Sequence, residues 1–194
     1  RFDFWGPGGA ECEEGCRRQY DAWKARGGGA PDHPTVPHIV HHIWLGGDLP
    51  ARFRRLRRMW EVLHPTWTHL LWTDATVAAL PLFNAEAFRA APNPGQQSDI
   101  LRLELLYVFG GVYVDVDMQC LAPLTALVDT TSCFVGVSST AAWEVNNAVV
   151  GAAPGHPFVA HLMRAVQRGE GGGYSGALAT ISVTGPGLYT RALV

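Results

Sequence analysis

Lysine is almost absent: of the 15 Lys and Arg residues in the 194-residue chain, only Lys24 is a lysine. Beyond that position nothing can serve as a Schiff-base lysine, a phosphate-loop lysine or a lysine general base. Charge is scarce as well, 16% of residues against roughly 25% in an average soluble domain, which points to a chain that buries much of itself. The 15 basic and 17 acidic residues leave a net charge of −2, so no global field attracts nucleic acid. The four cysteines, Cys12, Cys16, Cys120 and Cys133, fit neither a paired C-x-x-C zinc ribbon nor a thioredoxin motif. Cys12 and Cys16 are four apart in a helical-looking segment, where a bridge is geometrically poor, and an even count permits a secretory compartment without requiring one. No run approaches the roughly 18 apolar residues of a membrane span, and no secretory leader is present. The chain as given reads as soluble. It starts at Arg1 and stops at Val194 within an apolar stretch, as a piece cut from a longer protein would.

What is present is aromatic and apolar. Hydrophobic residues make up 47%, with 7 Trp, 5 Tyr and 8 Phe, which excludes disorder. The reading is one domain, residues 35–194, behind an N-terminal extension, residues 1–34, whose charged helical segment lies between glycine-rich stretches. Residues 36–45 (VPHIVHHIWL) read as a buried strand stopped by Gly46-Gly47. Phe53, Leu56, Trp60 and Leu63 then recur at helical spacing, with arginines 52, 54, 55, 57 and 58 on the other faces. Such a basic helix suits phosphates or an anionic membrane, and a solvated outer face is its simpler reading. A second strand over 67–72 and a short helix over 74–80 follow. The spacing next predicts a helix over 96–109 ended by Gly110-Gly111, and a strand over 112–117. Strands over 133–137 and 148–151, a helix over 156–167, a glycine-rich loop over 169–173 and a last helical start after Thr184-Gly-Pro-Gly187 complete the pass. Alternating strands and helices indicate an α/β fold around a mostly parallel sheet.

Chemistry concentrates in residues 97–117. On the predicted strand Val112, Val114 and Val116 face one layer while Tyr113, Asp115 and Asp117 share the other. Two adjacent carboxylates raise one another's pKa unless a cation intervenes, and a hard divalent metal with oxygen ligands is the natural one. The C-terminal end of a parallel strand is also where open α/β sheets place ligands. Alone, an Asp-x-Asp at a strand exit is most often a solvated turn. The preceding helix adds Asp99 and Arg102, three apart on one face of an otherwise apolar helix. A buried ion pair is commonly less stabilising than packed hydrophobic residues, so function is one reason to keep it, and orienting the helix is the other.

Three segments in order, residues 37–47 (PHIVHHIWLGG), Ser98-Asp-Ile-Leu-Arg102 and Gly110-Gly-Val-Tyr-Val-Asp-Val-Asp117, closely resemble the DXD-containing glycosyltransferases of family 32. These include the Och1-like and inositol phosphorylceramide mannosyltransferases, with the large glucosylating toxins as distant relatives. The likeness runs from about residue 36 to 190, with weaker family elements at residues 145–157 and 184–186. It implies a GT-A type nucleotide-sugar-binding fold and a metal-dependent, retaining transfer of a hexose from a nucleotide-diphosphate sugar to a glycan or lipid-linked acceptor. By the resemblance Asp115 and Asp117 are the DXD pair and the Mn²⁺ (or Mg²⁺) ligands, with Asp117 the direct one. It gives Asp99 and Arg102 to the donor sugar and phosphate, and Trp44 to the nucleotide base. Tyr113 and Asn146 join the donor-binding set, which implies GDP-mannose or a UDP-hexose as the donor. A membrane-anchored full-length form in the Golgi lumen is implied for a eukaryotic chain and a cytoplasmic one for a bacterial chain, any membrane contact being made through a segment outside these residues. The family usually continues past its Thr-Gly-Pro element with residues that close over the donor, whereas this chain ends at Val194.

Bland readings stand beside several of these residues. Trp44 also suits a core tryptophan at a strand end. Asn146 and Asn147 suit a turn, which explains asparagines by itself. His38, His41 and His42 do not read as a zinc site, because His41 points opposite to the other two on a strand. A haloacid-dehalogenase-type phosphatase, which also uses Asp-x-Asp, needs a downstream lysine that is missing, and a degenerate sugar-nucleotide-binding module is the remaining alternative.

Overall fold

A computed structural model describes residues 35–138, 145–170 and 177–193. The expected N-terminal extension, with Cys12 and Cys16, and most of the glycine-rich loop lie outside these residues. Five strands form one sheet in the order β2-β1-β3-β5-β4: β1 (Ile39–Ile43), β2 (Thr68–Trp72), β3 (Gly111–Val114), β4 (Cys133–Val137) and β5 (Val145–Ala152). β1 runs parallel to β2 and β3, and β5 pairs antiparallel with both β3 and β4. Four strands thus share a direction and β5 alone opposes them, the mostly parallel α/β arrangement expected from the sequence.

Helices cover both faces. On one side α1 (Ala51–Leu63) and the single turn α5 (Thr125–Val128) bring Trp60 and Val128 against Val40, Val112 and Val114. On the other, α4 (Pro94–Phe109), α6 (Pro157–Gln167) and α8 (Pro186–Leu193) pack Leu103, Leu106, Leu162 and Tyr189 against Ile43, Leu70, Tyr113 and Val150. Short helices α2 (Asp74–Val77), α3 (Ala85–Ala90) and α7 (Ala177–Val183) lie in the connections. Strict alternation along β1 explains the histidines. His41 faces Trp72 and Phe109, while His42 faces Trp60 on the opposite side, and both are fully buried. His38 stays at the surface and pairs with Asp129 at 2.8 Å. Among the described residues no three His, Cys, Asp or Glu side chains gather as a metal site, and Cys120 and Cys133 are free thiols.

α4 is the central element. Asn93 caps it by accepting from the Gln96 N–H at 2.9 Å, Pro94 fills the first turn, and Gly110 ends it with a φ of 65°. Of its 16 residues, 10 are buried, including Asp99, Arg102 and Glu104. No amphipathic stripe exists because sheet, α3 and α6 surround it.

Several boundaries differ from the sequence expectation. β1 covers only the middle of residues 36–45, because Pro37 cannot donate to the ladder and Gly46-Gly47 turns the chain. The predicted strand 112–117 ends at Val114, and Asp117 sits in a turn closed by the Met118 N–H on the Asp115 carbonyl at 3.1 Å. Asn146 and Asn147 belong to β5 rather than a turn, since Gly136 and Val137 of β4 supply partners for that strand end. The short helix stops at Val77 rather than near Leu80. α3, α5 and α7 carry too few periodic positions to show in the sequence.

Candidate functional site

The C-terminal ends of β1 and β3 open on a cavity of 620 Å³, lined among others by Trp44, Asp99, Arg102, Tyr113, Asp115 and Asp117. α4 carries the acid and base of its first buried turn to this point. Three residues apart on one face, Asp99 Oδ1 and Arg102 Nη2 stand 2.6 Å from each other. Arg102 then spans the floor of the site. Its Nη1 donates to the Asn147 carbonyl at 2.5 Å, its Nη2 lies 3.5 Å from Asp115 Oδ1, and its guanidinium carbon stacks 4.2 Å from the centre of the Tyr113 ring. Arg102 Nε, buried, has no hydrogen-bond partner among the described residues.

Asp99 is held from three directions. Besides Arg102, Asn147 Nδ2 donates to Oδ1 at 3.0 Å and the Thr184 hydroxyl donates to Oδ2 at 2.9 Å. Asp115, at the sheet edge of the cavity, accepts from the Tyr113 hydroxyl at 2.6 Å. That bond keeps Asp115 on the Tyr113 side, as strand alternation requires, although the ladder proper has ended. Beyond it the turn breaks the alternation, so Val116 lines the cavity together with the two aspartates.

Electrostatics follow from burial. Desolvation pushes the Asp99 carboxyl above the usual range against the opposing pull of Arg102, and does the same to Asp115, with Asp117 adding to the rise. Burial opposes the charge of Arg102, but Tyr113, Asp99 and Asp115 around it outweigh that and hold the guanidinium firmly charged. One cation thus sits among two buried or half-buried carboxyls, and a third, Asp117, is exposed at the rim.

The donor set bears on whether a divalent metal suits the site. Asp115 and Asp117 offer hard oxygen donors, one half-buried and one exposed, and the described residues add no further acid, histidine or thiol to form a group of three. Two carboxylates do not enclose a Ca²⁺-like ion. They do fit a Mg²⁺- or Mn²⁺-sized ion that keeps waters and takes its remaining ligands from substrate phosphates.

Trp44 reaches the cavity just past β1. Its backbone N–H bonds the Trp72 carbonyl at 2.8 Å, its ring rests 5.4 Å from that of Phe53, and its buried Nε1 has no partner among the described residues. Arg52 lies over the other ring of this pair, 4.6 Å from the centre of Phe53. Asn146 does not line the cavity: its side chain accepts from the Ala148 N–H at 2.7 Å on the opposite side of β5. Its neighbour Asn147 takes the inward position instead, which the period of two in a strand makes an either-or choice. Thr184, quoted in the sequence only as part of a Thr-Gly-Pro element, supplies the second bond to Asp99. Arg52, Phe53, Ser98 and Thr180 also line the cavity, although the sequence assigned none of them to the donor site.

Residues 50–134 match the family described as the glycosyltransferase sugar-binding region containing a DXD motif. Inositol phosphoceramide mannosyltransferase 3 of Schizosaccharomyces pombe is 28% identical over 139 residues, covering 69% of this chain and 38% of that protein. The chain spans less than half the length of this and other inositol phosphoceramide mannosyltransferases that it matches. In structure, the PaToxG glycosyltransferase superposes with a TM-score of 0.62 at 16% identity, over 95% of this chain and 78% of the other. The UDP-bound glycosyltransferase domain of the YGT toxin gives 0.59 at 12% identity, over 83% and 77%.

Proposed function

We infer the function from one premise: this chain carries the sugar-binding region of the DXD-containing glycosyltransferases on a GT-A fold. We propose that it transfers a hexose from a nucleotide-diphosphate sugar to a glycan or lipid-linked acceptor, with retention of configuration and with a divalent metal. The observation that carries this reading is Arg102, charged and immobilised between Asp99 and Asp115 on the floor of a cavity whose rim holds Asp117.

The residues divide the work as follows. Asp99, fixed by Asn147 and Thr184, presents an acceptor-only carboxylate to the hydroxyls of the donor hexose. Arg102 is positioned before any substrate arrives, so its charge stabilises a diphosphate leaving group without reorganisation as the glycosidic bond breaks. Tyr113 locks the Asp115 rotamer through its hydroxyl, and Asp115 and Asp117 would hold Mn²⁺ or Mg²⁺ between them. Such an ion, when bound, supplies Lewis-acid stabilisation of the same leaving group. Trp44, backed by Phe53, offers an indole face to the nucleotide base. A glycolipid acceptor is favoured because several curated relatives are named for mannosyl transfer to inositol phosphoceramide.

A screen of GDP-mannose, UDP-galactose, UDP-glucose and UDP-N-acetylglucosamine tests the reading, with donor binding by calorimetry and donor hydrolysis in the presence of Mn²⁺. One donor is expected to bind only with metal and to turn over slowly. In Asp117→Asn its metal-dependent affinity should fall roughly 100-fold or more, the scale of losing one preorganised electrostatic partner. Unchanged donor affinity in that variant would refute the metal assignment. Binding without turnover would identify a sugar-nucleotide-binding module instead.

A further inference from the structure

The chain is slightly acidic overall, yet α1 carries five arginines in 13 residues. Its one acid, Glu61, pairs with Arg57 at 3.1 Å and Arg58 at 2.9 Å, so the helix keeps a large positive excess. Trp60 and Leu63 pack against the sheet and Phe53 turns to the site cavity, while the opposite face carries exposed side chains among the described residues. Arg54, Arg55 and Arg58 are exposed there, and the i, i+3, i+4 spacing of residues 55, 58 and 62 places Val62, 63% exposed, in the same row.

Two further features lie against this helix. Arg52, at its first turn, is exposed and lines the mouth of the site cavity over the Phe53 ring. Near its other end, Trp60 Nε1 donates to the Met118 carbonyl at 3.0 Å and thereby anchors the loop that follows Asp117. That loop presents Met118 and Leu121, the latter 82% exposed. Cationic side chains interleaved with protruding apolar ones are a poor arrangement for a purely solvated surface. They are the arrangement that an interfacial helix offers a bilayer, with guanidinium groups for lipid phosphates and apolar groups for the headgroup layer.

We propose that α1 and the adjoining loop at residues 118–121 form a docking face for an anionic lipid bilayer. Docking through this face sets the cavity mouth, marked by Arg52, close to the headgroup plane, where a lipid-linked acceptor would present its sugar. It would add to any membrane contact made through a segment outside these residues. The face itself does not depend on how the cavity is read.

Cosedimentation with phosphatidylcholine vesicles, with and without phosphatidylserine, tests it. Binding is expected only to the anionic vesicles and should weaken with added salt. The double variant Arg55→Glu/Arg58→Glu should bind more than roughly 25-fold more weakly, because losing each basic charge costs about fivefold and reversal adds repulsion, while keeping the melting temperature and the donor hydrolysis of the parent. Arg55→Gln/Arg58→Gln gives the same reading, with a smaller loss, should the charge reversal fail to fold. Leu121→Ser should weaken vesicle binding without changing its salt dependence. Asp117→Asn should bind vesicles like the parent even where donor binding is lost, which separates a failure of this proposal from a failure of the proposed activity. No anionic-vesicle binding, equal binding to neutral vesicles, or unaltered binding in the folded double variant would each overturn the docking face. So would displacement from vesicles by a short single-stranded oligonucleotide that binds the same arginines more tightly.

Discussion

Arg102 shows why so few charged side chains suffice. A buried guanidinium is expensive to desolvate, and each of its contacts offsets part of that cost: Asp99, the Asn147 carbonyl, the Tyr113 ring and, more distantly, Asp115. Asp99 depends in turn on neutral donors, and Thr184 is the one that comes from the far end of the chain. Thr184→Val keeps the shape and removes the hydroxyl, leaving Asp99 Oδ2 short of a buried partner. Urea denaturation should show a loss of about 1–3 kcal/mol, whereas Thr184→Ser should stay within about 1 kcal/mol of the parent. If Val and Ser behaved alike, the bond from residue 184 would carry no weight in holding Asp99.

At the scale of elements, the junction from α4 to β3 fixes the distance between the two halves of the site. Gly110 makes it possible, with φ 65° and ψ −161°, a region open essentially to glycine alone. A Cβ there would lie 2.6 Å from Pro154 Cδ and 2.9 Å from the Ala152 carbonyl oxygen. Gly110→Ala therefore combines backbone strain with overpacking against main chain and should cost about 2–5 kcal/mol in denaturant unfolding. Gly169→Ala, at φ 66° with nothing among the described residues within 4 Å, isolates the strain and should cost about 1 kcal/mol. This junction also shows what was legible in sequence. Apolar periodicity and Gly110-Gly111 marked the helix end and the strand start, because glycine punctuation is a local signal. The Asp115–Asp117 turn was not legible, because alternation extrapolates a strand until a tertiary contact ends it. Asn147 was hidden from the donor set for the same reason: choosing between residues 146 and 147 needs the register of β5 against β3. Thr184 reaches Asp99 across 85 residues of sequence, a distance no spacing rule covers.

For the molecule as a whole, the sheet is closed around two uncharged histidines. His41 Nε2 bonds the Gly110 carbonyl at 2.9 Å, and Trp72 Nε1 donates to His41 Nδ1 at 3.1 Å. The first bond needs a proton on Nε2 and the second needs a bare Nδ1, so a second proton would set two donors against each other. Burial accordingly lowers the His41 pKa to about 4 and that of His42 to about 3. In the unfolded chain both titrate near 6.5. The sign follows: above pH 6.5 neither state carries the extra protons, and between 6.5 and about 4 only the unfolded chain binds them. Stability is fully present at neutral pH and is lost as pH falls, at about 1.4 kcal/mol per pH unit for each histidine. Burial raises the pKa of Asp99, Glu104 and Asp115, which works in the opposite direction toward acid pH, so a comparison of slopes is more telling than the parent's slope alone. Urea unfolding free energies at pH 6.5, 5.5 and 4.5 should fall less steeply in His41→Gln than in the parent, by about 1 kcal/mol per pH unit, short of the limiting slope because the unfolded imidazole is only half protonated at pH 6.5, and His42→Gln should give a comparable change. Parallel slopes in the parent and both variants would mean that the buried imidazoles take up protons within the folded sheet, contrary to the two-sided bonding of His41.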